Sequence, residues 1–475
     1  MERSLKTDKM RVMPVKKLIL SIGLPMVISM VLQALYNIVD SAFVSNMAEG
    51  GEAALTALTL AFPMQMLMVA VSIGTGVGMN ALVSKSLGQG DREKASLAAG
   101  NAVFLAAVIY IAFLLFGLLG TESYIMSQTA NSEVAQMAVD YLKICCVISP
   151  GIVFFSIYEK LLQAAGHSMY STIAQISGAV TNIVLDPILI YGLLGCPEMG
   201  VEGAAYATVI GQCLSWVLAF LFHVKVNRQI SNRLRYMKPS GAIIRRIYAI
   251  GLPAIIAQAL MSVMTYGLNI ILGDVSESMV TAYGLYYKIQ QFVLFAAFGL
   301  RDAITPVISY SHGMRSKERI REGIKYGMID TLVVMAAGLA ALELLAVPLS
   351  GVFGLSGETQ ALCISAMRVV SLSFIFAGAN IAFQGIFQAL DSGMESLIVS
   401  VCRQFLFVLP VAWLFAQIAG ESADMAWLIW LSFLIAEGAS TAIACGLMKR
   451  IYRQKVEGLG RKNAPVPIDG AEKWV

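Results

Sequence analysis

Three residues have the types and spacing to hold and release a cation: Asp40 in QALYNIVD (Gln33–Asp40), and Asn182 with Asp186 in TNIVLDP (Thr181–Pro187). Each lies in sequence otherwise apolar enough to cross a bilayer, where an Asp near a helix centre costs roughly 2.5 to 3.5 kcal/mol. At helical spacing Gln33, Tyr36, Asn37 and Asp40 share one face, and Asn182 and Asp186, four apart, share another. Faces so polar cannot be turned to lipid, and they mark an ion or substrate pathway. The competing readings are a headgroup-level carboxylate for Asp40 and a helix-ending Asp-Pro turn for Asp186. Two carboxylates in low dielectric resist joint ionisation and titrate as a coupled pair, which suits proton carriage. Sodium would use the same oxygens, because Asp and Asn are hard ligands. No other cofactor is expected.

These residues need elements to carry them, and the composition says of what kind. The chain has 475 residues, 57% of them hydrophobic and only 13% charged, with a mean hydropathy of +0.73. Soluble proteins carry about 25% charged residues, so the chain is a polytopic membrane protein. Apolar runs long enough for a ~30 Å core fall near 18–44, 54–82, 97–119, 134–158, 170–194, 202–224, 244–272, 280–308, 322–347, 360–387, 394–416 and 424–448, which makes twelve spans. The basic first 17 residues lead into a run longer than a signal-peptide core with no small-residue cleavage pattern, hence an uncleaved first span.

The connecting segments alternate in charge. The N-terminus, the loops after even-numbered spans and the tail from Lys449 hold nearly all the Lys and Arg, whereas the loops after odd-numbered spans carry only acids such as Glu122, Glu198 and Glu358. By the positive-inside rule both termini are cytoplasmic, and the net charge of +4 is an orientation signal rather than a sign of an acidic partner.

An internal repeat appears at an offset of about 225 residues: SIGLP (Ser21–Pro25) returns as AIGLP (Ala249–Pro253), and LLQAAGHSM (Leu161–Met169) as IFQALDSGM (Ile386–Met394). Six spans per repeat is an even number, so both halves enter from the same side and form parallel repeats. The expected organisation is an N-terminal lobe over 1–224, a cytoplasmic linker over 225–243, a C-terminal lobe over 244–448 and a cytoplasmic tail over 449–475. The acids do not repeat: Leu268, Phe407 and Val411 stand at the positions matching Asp40, Asn182 and Asp186. The second half has its own polar stripe, Gln258, Ser262, Thr265 and Asn269, while Arg301 with Asp302 reads as a structural pair.

Other signals are weaker. Gln33, Tyr36, Asn37, Met64, Met68 and Gln175 are the candidate lining of a substrate path in the first lobe, the methionines because an unbranched thioether adapts to varied ligands; Met pairs four apart also serve as plain core. Pro25 is a candidate hinge. Gly74, Gly76 and Gly78 lack the strand of a nucleotide-binding fingerprint and read as helix-contact glycines. No GxxxxGK[ST] occurs, so a pump of this sequence is driven by an ion gradient. Seven scattered cysteines and three histidines in or near loops offer no metal or catalytic constellation.

SIGLPMVISMVLQALYNIVDSAFVS, VSKSLGQGDREKA, LLQAAGHS and TNIVLDPILIYGLLGCPEMGVEGAAYAT, set in twelve spans and two repeats, resemble the multidrug and toxic compound extrusion (MATE) family, on its MepA- and DinF-like side, over essentially the whole chain. The resemblance implies an all-α V-shaped pair of six-helix lobes in the cell membrane. It implies a secondary active antiporter, not an enzyme, exporting cationic or amphipathic compounds for protons or sodium, expected as a monomer. It puts the ion-coupling site on Asp40, Asn182 and Asp186, the bending first helix on Pro25, and no metal site in the chain. The alternatives are a lipid-linked saccharide flippase of the same superfamily, which calls for a more cationic cavity, and a polytopic membrane enzyme.

Overall fold

The computed structural model describes residues 9–45, 47, 51–129, 131–352, 357–419, 425 and 427–461. Among them regular structure is helical throughout, with no strand. In chain order the helices are α1 (Lys9–Val12), α2 (Val15–Ser45), α3 (Gly51–Gly88), α4 (Arg92–Leu119), α5 (Thr121–Met126), α6 (Ser132–Val147), α7 (Pro150–Ala164), α8 (Ser168–Ile190), α9 (Gly200–Val226), α10 (Gly241–Gly273), α11 (Glu277–Gly313), α12 (Lys317–Val352), α13 (Gly357–Ser371), α14 (Phe374–Ala389), α15 (Gly393–Val401), α16 (Val408–Ala419) and α17 (Trp427–Ile451). A π-helical turn, Cys402–Leu406, joins α15 to α16.

Ten helical stretches are long and apolar enough to cross a bilayer, α15, the π turn and α16 counting as one of them. Two further spans are broken: α6 and α7 meet at 45°, α13 and α14 at 53°. The fourth and tenth spans are therefore not the continuous helices that hydropathy alone suggests. In the fourth, Pro150 opens α7 and disfavours helical geometry in the residue before it. In the tenth no proline is present; Ser371 and Ser373 turn their hydroxyls back to the carbonyls of Arg368 and Val370, an alternative to the helix ladder that bends helices.

The chain forms two compact units. One is Ile28–Ile255; the other comprises Ile256–Val475 together with Met1–Val27, as far as these are described. These bounds differ from lobes drawn at the basic linker: each boundary falls inside a first helix of a repeat, two residues after Pro25 in α2 and two after Pro253 in α10. In the first unit the start of α10 lies against α3, and a Cβ on Gly78 would come within 2.1 Å of the Ile247 carbonyl oxygen. Only glycine allows that approach. In the second unit Arg319 donates to the carbonyls of Met10 and Met13 at 2.9 and 3.1 Å, holding the segment that leads into α2.

Each unit is packed around its own apolar core, one including Ala57, Leu142, Ile190 and Val209, another Tyr286, Met367, Phe374 and Trp430. The repeat is written into the hydrogen bonds. Ser84 Oγ donates to the Ala164 carbonyl at 3.2 Å, and Ser309 Oγ to the Ala389 carbonyl at 3.2 Å. Left-handed residues recur likewise, Gly166 (φ 80) at Asp391 (φ 55).

Candidate functional site

Asn182 and Asp186 are both buried on α8. Asn182 Nδ2 donates to Asp186 Oδ1 at 3.1 Å and approaches Thr208 Oγ1 of α9 at 3.5 Å. The one-turn spacing that puts them on a face thus brings them into contact. Pro187 does not end the helix, which runs on to Ile190, so the Asp-Pro turn reading is excluded and Asp186 stands inside the span. Just beyond, Tyr191 Oη donates to the Phe43 carbonyl at 2.7 Å, with the two rings edge to face at 6.3 Å. That bond fixes the end of α8 to the end of α2.

Asp40 lies on α2 three residues before Phe43. The side chains of Asp40, Tyr36 and Asn37 are outside the described residues.

Beside Asn182 opens a cavity enclosing about 560 Å³ of empty space, open solvent included, lined by polar groups from three helices: Ser29 and Gln33 of α2, Gln175 and Asn182 of α8, Thr208 and Gln212 of α9. Gln175 binds both residues of α2, donating from Nε2 to Gln33 Oε1 at 2.9 Å and accepting from Ser29 Oγ. Gln33 and Gln175 therefore come together on one wall. Met64 and Met68 are not among the lining residues: Met64 packs against the unit's apolar core, and Met68 is buried. Pro25 lies one helical turn before Ser29 on α2.

The lining residues are uncharged, and the buried carboxylate of Asp186 is bonded to one of them, Asn182. Such a cavity can accept an amphipathic molecule by hydrogen bonds and apolar contact while a buried acid supplies attraction for positive charge. Among the described residues no group of three or more His, Cys, Asp or Glu is placed to hold a metal ion, and all seven cysteines are free.

In the other unit Arg301 and Asp302 pair at 2.8 Å. The sequence reading missed a second buried pair there, Arg403 with Glu437. The available signal was a lone Arg and a lone Glu inside two apolar spans.

Relatives share this architecture. The multidrug export protein MepA of Staphylococcus haemolyticus (strain JCSC1435) is 25% identical over 428 residues, 90% of this chain and 92% of the relative. That of Staphylococcus aureus (strain MRSA252) is 25% identical over 443 residues, 93% and 95% of the two chains. Among solved structures, the outward-facing conformation of a multidrug resistance MATE family transporter of the MOP superfamily superposes with a TM-score of 0.86 at 25% identity, over 94% of this chain and 99% of that one. A MOP superfamily transporter from Pyrococcus furiosus, described as having a binding pocket of reverse polarity that suggests a different function, gives 0.85 at 26% identity over 95% and 98%. These relatives and neighbours are transporters, and the chain is a membrane transporter rather than an enzyme. The family described as MatE matches residues 25–188 and 253–414, most of the chain in two segments that follow its internal repeat, and the protein belongs to that family.

Proposed function

We propose that the protein is a multidrug efflux antiporter of the cell membrane, with both termini cytoplasmic, which works as a monomer and exports cationic or amphipathic organic compounds in exchange for protons by alternating access. The observation that carries the reading is the buried Asn182–Asp186 pair beside a polar, uncharged cavity, tied through Tyr191 to the end of the helix that bears Asp40. Relatives named as multidrug export proteins support the cargo class.

A carboxylate beside the cavity attracts a cationic cargo from the inner side. Proton uptake from outside removes that negative charge and with it the cargo's electrostatic partner, so cargo leaves outward. Proton loss to the cytoplasm resets the site. Linkage makes the effects reciprocal: protonation weakens cation binding by the same factor by which bound cation weakens protonation. The strength of an acidic site against either ion follows from the same oxygens, and sodium is the competing coupling ion.

The test is efflux and binding of a cationic dye across pH, with and without sodium, for wild type, Asp40→Asn and Asp186→Asn. Each variant is expected to lose most gradient-driven efflux and to flatten the pH dependence of dye binding. Wild-type efflux and pH dependence in both variants would place coupling elsewhere; a sodium requirement at fixed pH would replace the proton.

A further inference from the structure

The C-terminal unit contains a buried charge pair that the coupling cycle above does not use. Arg403, on the π turn Cys402–Leu406, and Glu437, on α17, are both buried. Arg403 Nε donates to the two carboxylate oxygens at 2.9 and 3.1 Å, and Nη2 donates to Oε1 at 2.5 Å. Asn380 of α14 adds Nδ2 to Glu437 Oε2 at 2.7 Å and to the Glu437 carbonyl at 3.0 Å. Tyr286 of α11 is wholly buried within electrostatic reach of Glu437; its hydroxyl and Asn380 Oδ1 have no hydrogen-bond partner among the described residues. Burying an ion pair generally returns no more stability than apolar packing would, and a π turn inside a helix tends to mark function. The cluster is therefore poorly explained as scaffold.

The internal repeat shows what the pair stands in place of. The cavity of the N-terminal unit is lined by Phe155, Gly178, Gln212 and Ser215, among others. At the offset of about 225 residues their counterparts are Asn380, Arg403, Glu437 and Ser440. The offset holds in this part of the chain, because the Ser84–Ala164 bond recurs as Ser309–Ala389 and the helices that bear Gln212 and Glu437 end at Val226 and Ile451, the same offset apart. At Gly178 a Cβ would meet Ser215 Oγ at 1.9 Å, so α8 and α9 touch there and the cavity opens beside them. At the equivalent crossing the second repeat carries a whole arginine, with a carboxylate where the first has Gln212.

We infer that Arg403 is a tethered organic cation filling a latent cation-binding site of the second repeat, centred on Glu437 and Asn380, and that it closes this site to mobile cations. Planar, bidentate contact with a carboxylate is how a free guanidinium or amidinium compound binds. A tethered group is present at an effective concentration that a free ligand cannot match. This reading does not depend on Asp40 or Asp186.

The test is thermal unfolding of the purified full chain in methylguanidinium chloride, against equal concentrations of choline and sodium chloride, for wild type, Arg403→Gly and Arg403→Gly/Glu437→Gln. Arg403→Gly restores the residue of the first repeat and removes the guanidinium that occupies Glu437. The expected result is a saturable rise in Tm with methylguanidinium in Arg403→Gly alone. An equal response in wild type or in the double variant, or none in Arg403→Gly, overturns the inference. Should Arg403→Gly fail to fold, methylguanidinium present during expression and extraction is expected to recover it, while the double variant, with no buried charge left behind, folds without additive. A double variant that fails to fold, or a single variant that methylguanidinium does not recover, also overturns it.

Discussion

At the scale of single residues, the candidate site depends on few polar contacts, each with a separable consequence. Asn182 gives Asp186 its amide donor, and Tyr191 ties the end of α8 to the Phe43 carbonyl, close to Asp40. Tyr191→Phe keeps the ring and its edge-to-face contact while deleting the hydroxyl. It is expected to cost about 1 kcal/mol of stability, the usual net value of one hydrogen bond, and to slow efflux with expression intact; a variant exporting at the wild-type rate would reduce Tyr191 to a helix cap. Asp186, Asn182, Gln33 and Gln175 were legible in the sequence because polar groups at helical spacing stand out against apolar runs. The methionines were not, since Met64 and Met68 suit a core as readily as a cavity wall. Arg403 and Glu437 escaped because they come from different spans: each lone charge calls for a partner, but neither span says where that partner lies.

At the scale of elements, hydropathy finds the spans but not their interruptions. The breaks at α6–α7 and α13–α14 are set by one proline and by serine hydroxyls competing for carbonyls, signals too local to change an average over a span. Pro25 and Pro253 do the opposite: each sits inside a helix that continues through it, and each precedes by two residues the point where its helix passes from one compact unit to the other. A proline removes one intrahelical hydrogen bond and lets a helix bend at the residue where it stands. Pro25 is therefore proposed as a hinge, immediately before the portion of α2 that bears Ser29 and Gln33. Pro25→Ala is expected to leave expression and dye binding near wild type while lowering the rate of efflux several-fold. Unchanged efflux would make Pro25 a residue of shape alone.

At the scale of the whole molecule, the repeat and the alternating loop charge set how the chain is threaded. Each repeat has six spans, so the loops after even-numbered spans must share a side with both termini. By the positive-inside rule the basic residues of those loops are expected on the cytoplasmic side. Single-cysteine labelling with a membrane-impermeant reagent tests the threading, provided each position is open to solvent and holds nothing in place. Arg92 is half-buried at the start of α4, Arg235 is bonded to the Tyr236 hydroxyl, and Arg319 is buried and bonded to the carbonyls of Met10 and Met13, so exposed Gln89 and Arg233 replace the first two. A cysteine in place of Arg319 would report a loosened segment rather than topology, so exposed Lys317 takes its place. Glu122 and Glu198 are exposed in the acidic loops; the Glu277 side chain is outside the described residues, and exposed Asp274 serves for the same loop. In a background with the seven native cysteines replaced, positions 122, 198 and 274 should label on intact cells, and positions 89, 233 and 317 only after permeabilisation. A single position labelling from the wrong side would break the twelve-span threading and, with it, the direction of transport assigned to the Asp40–Asp186 site.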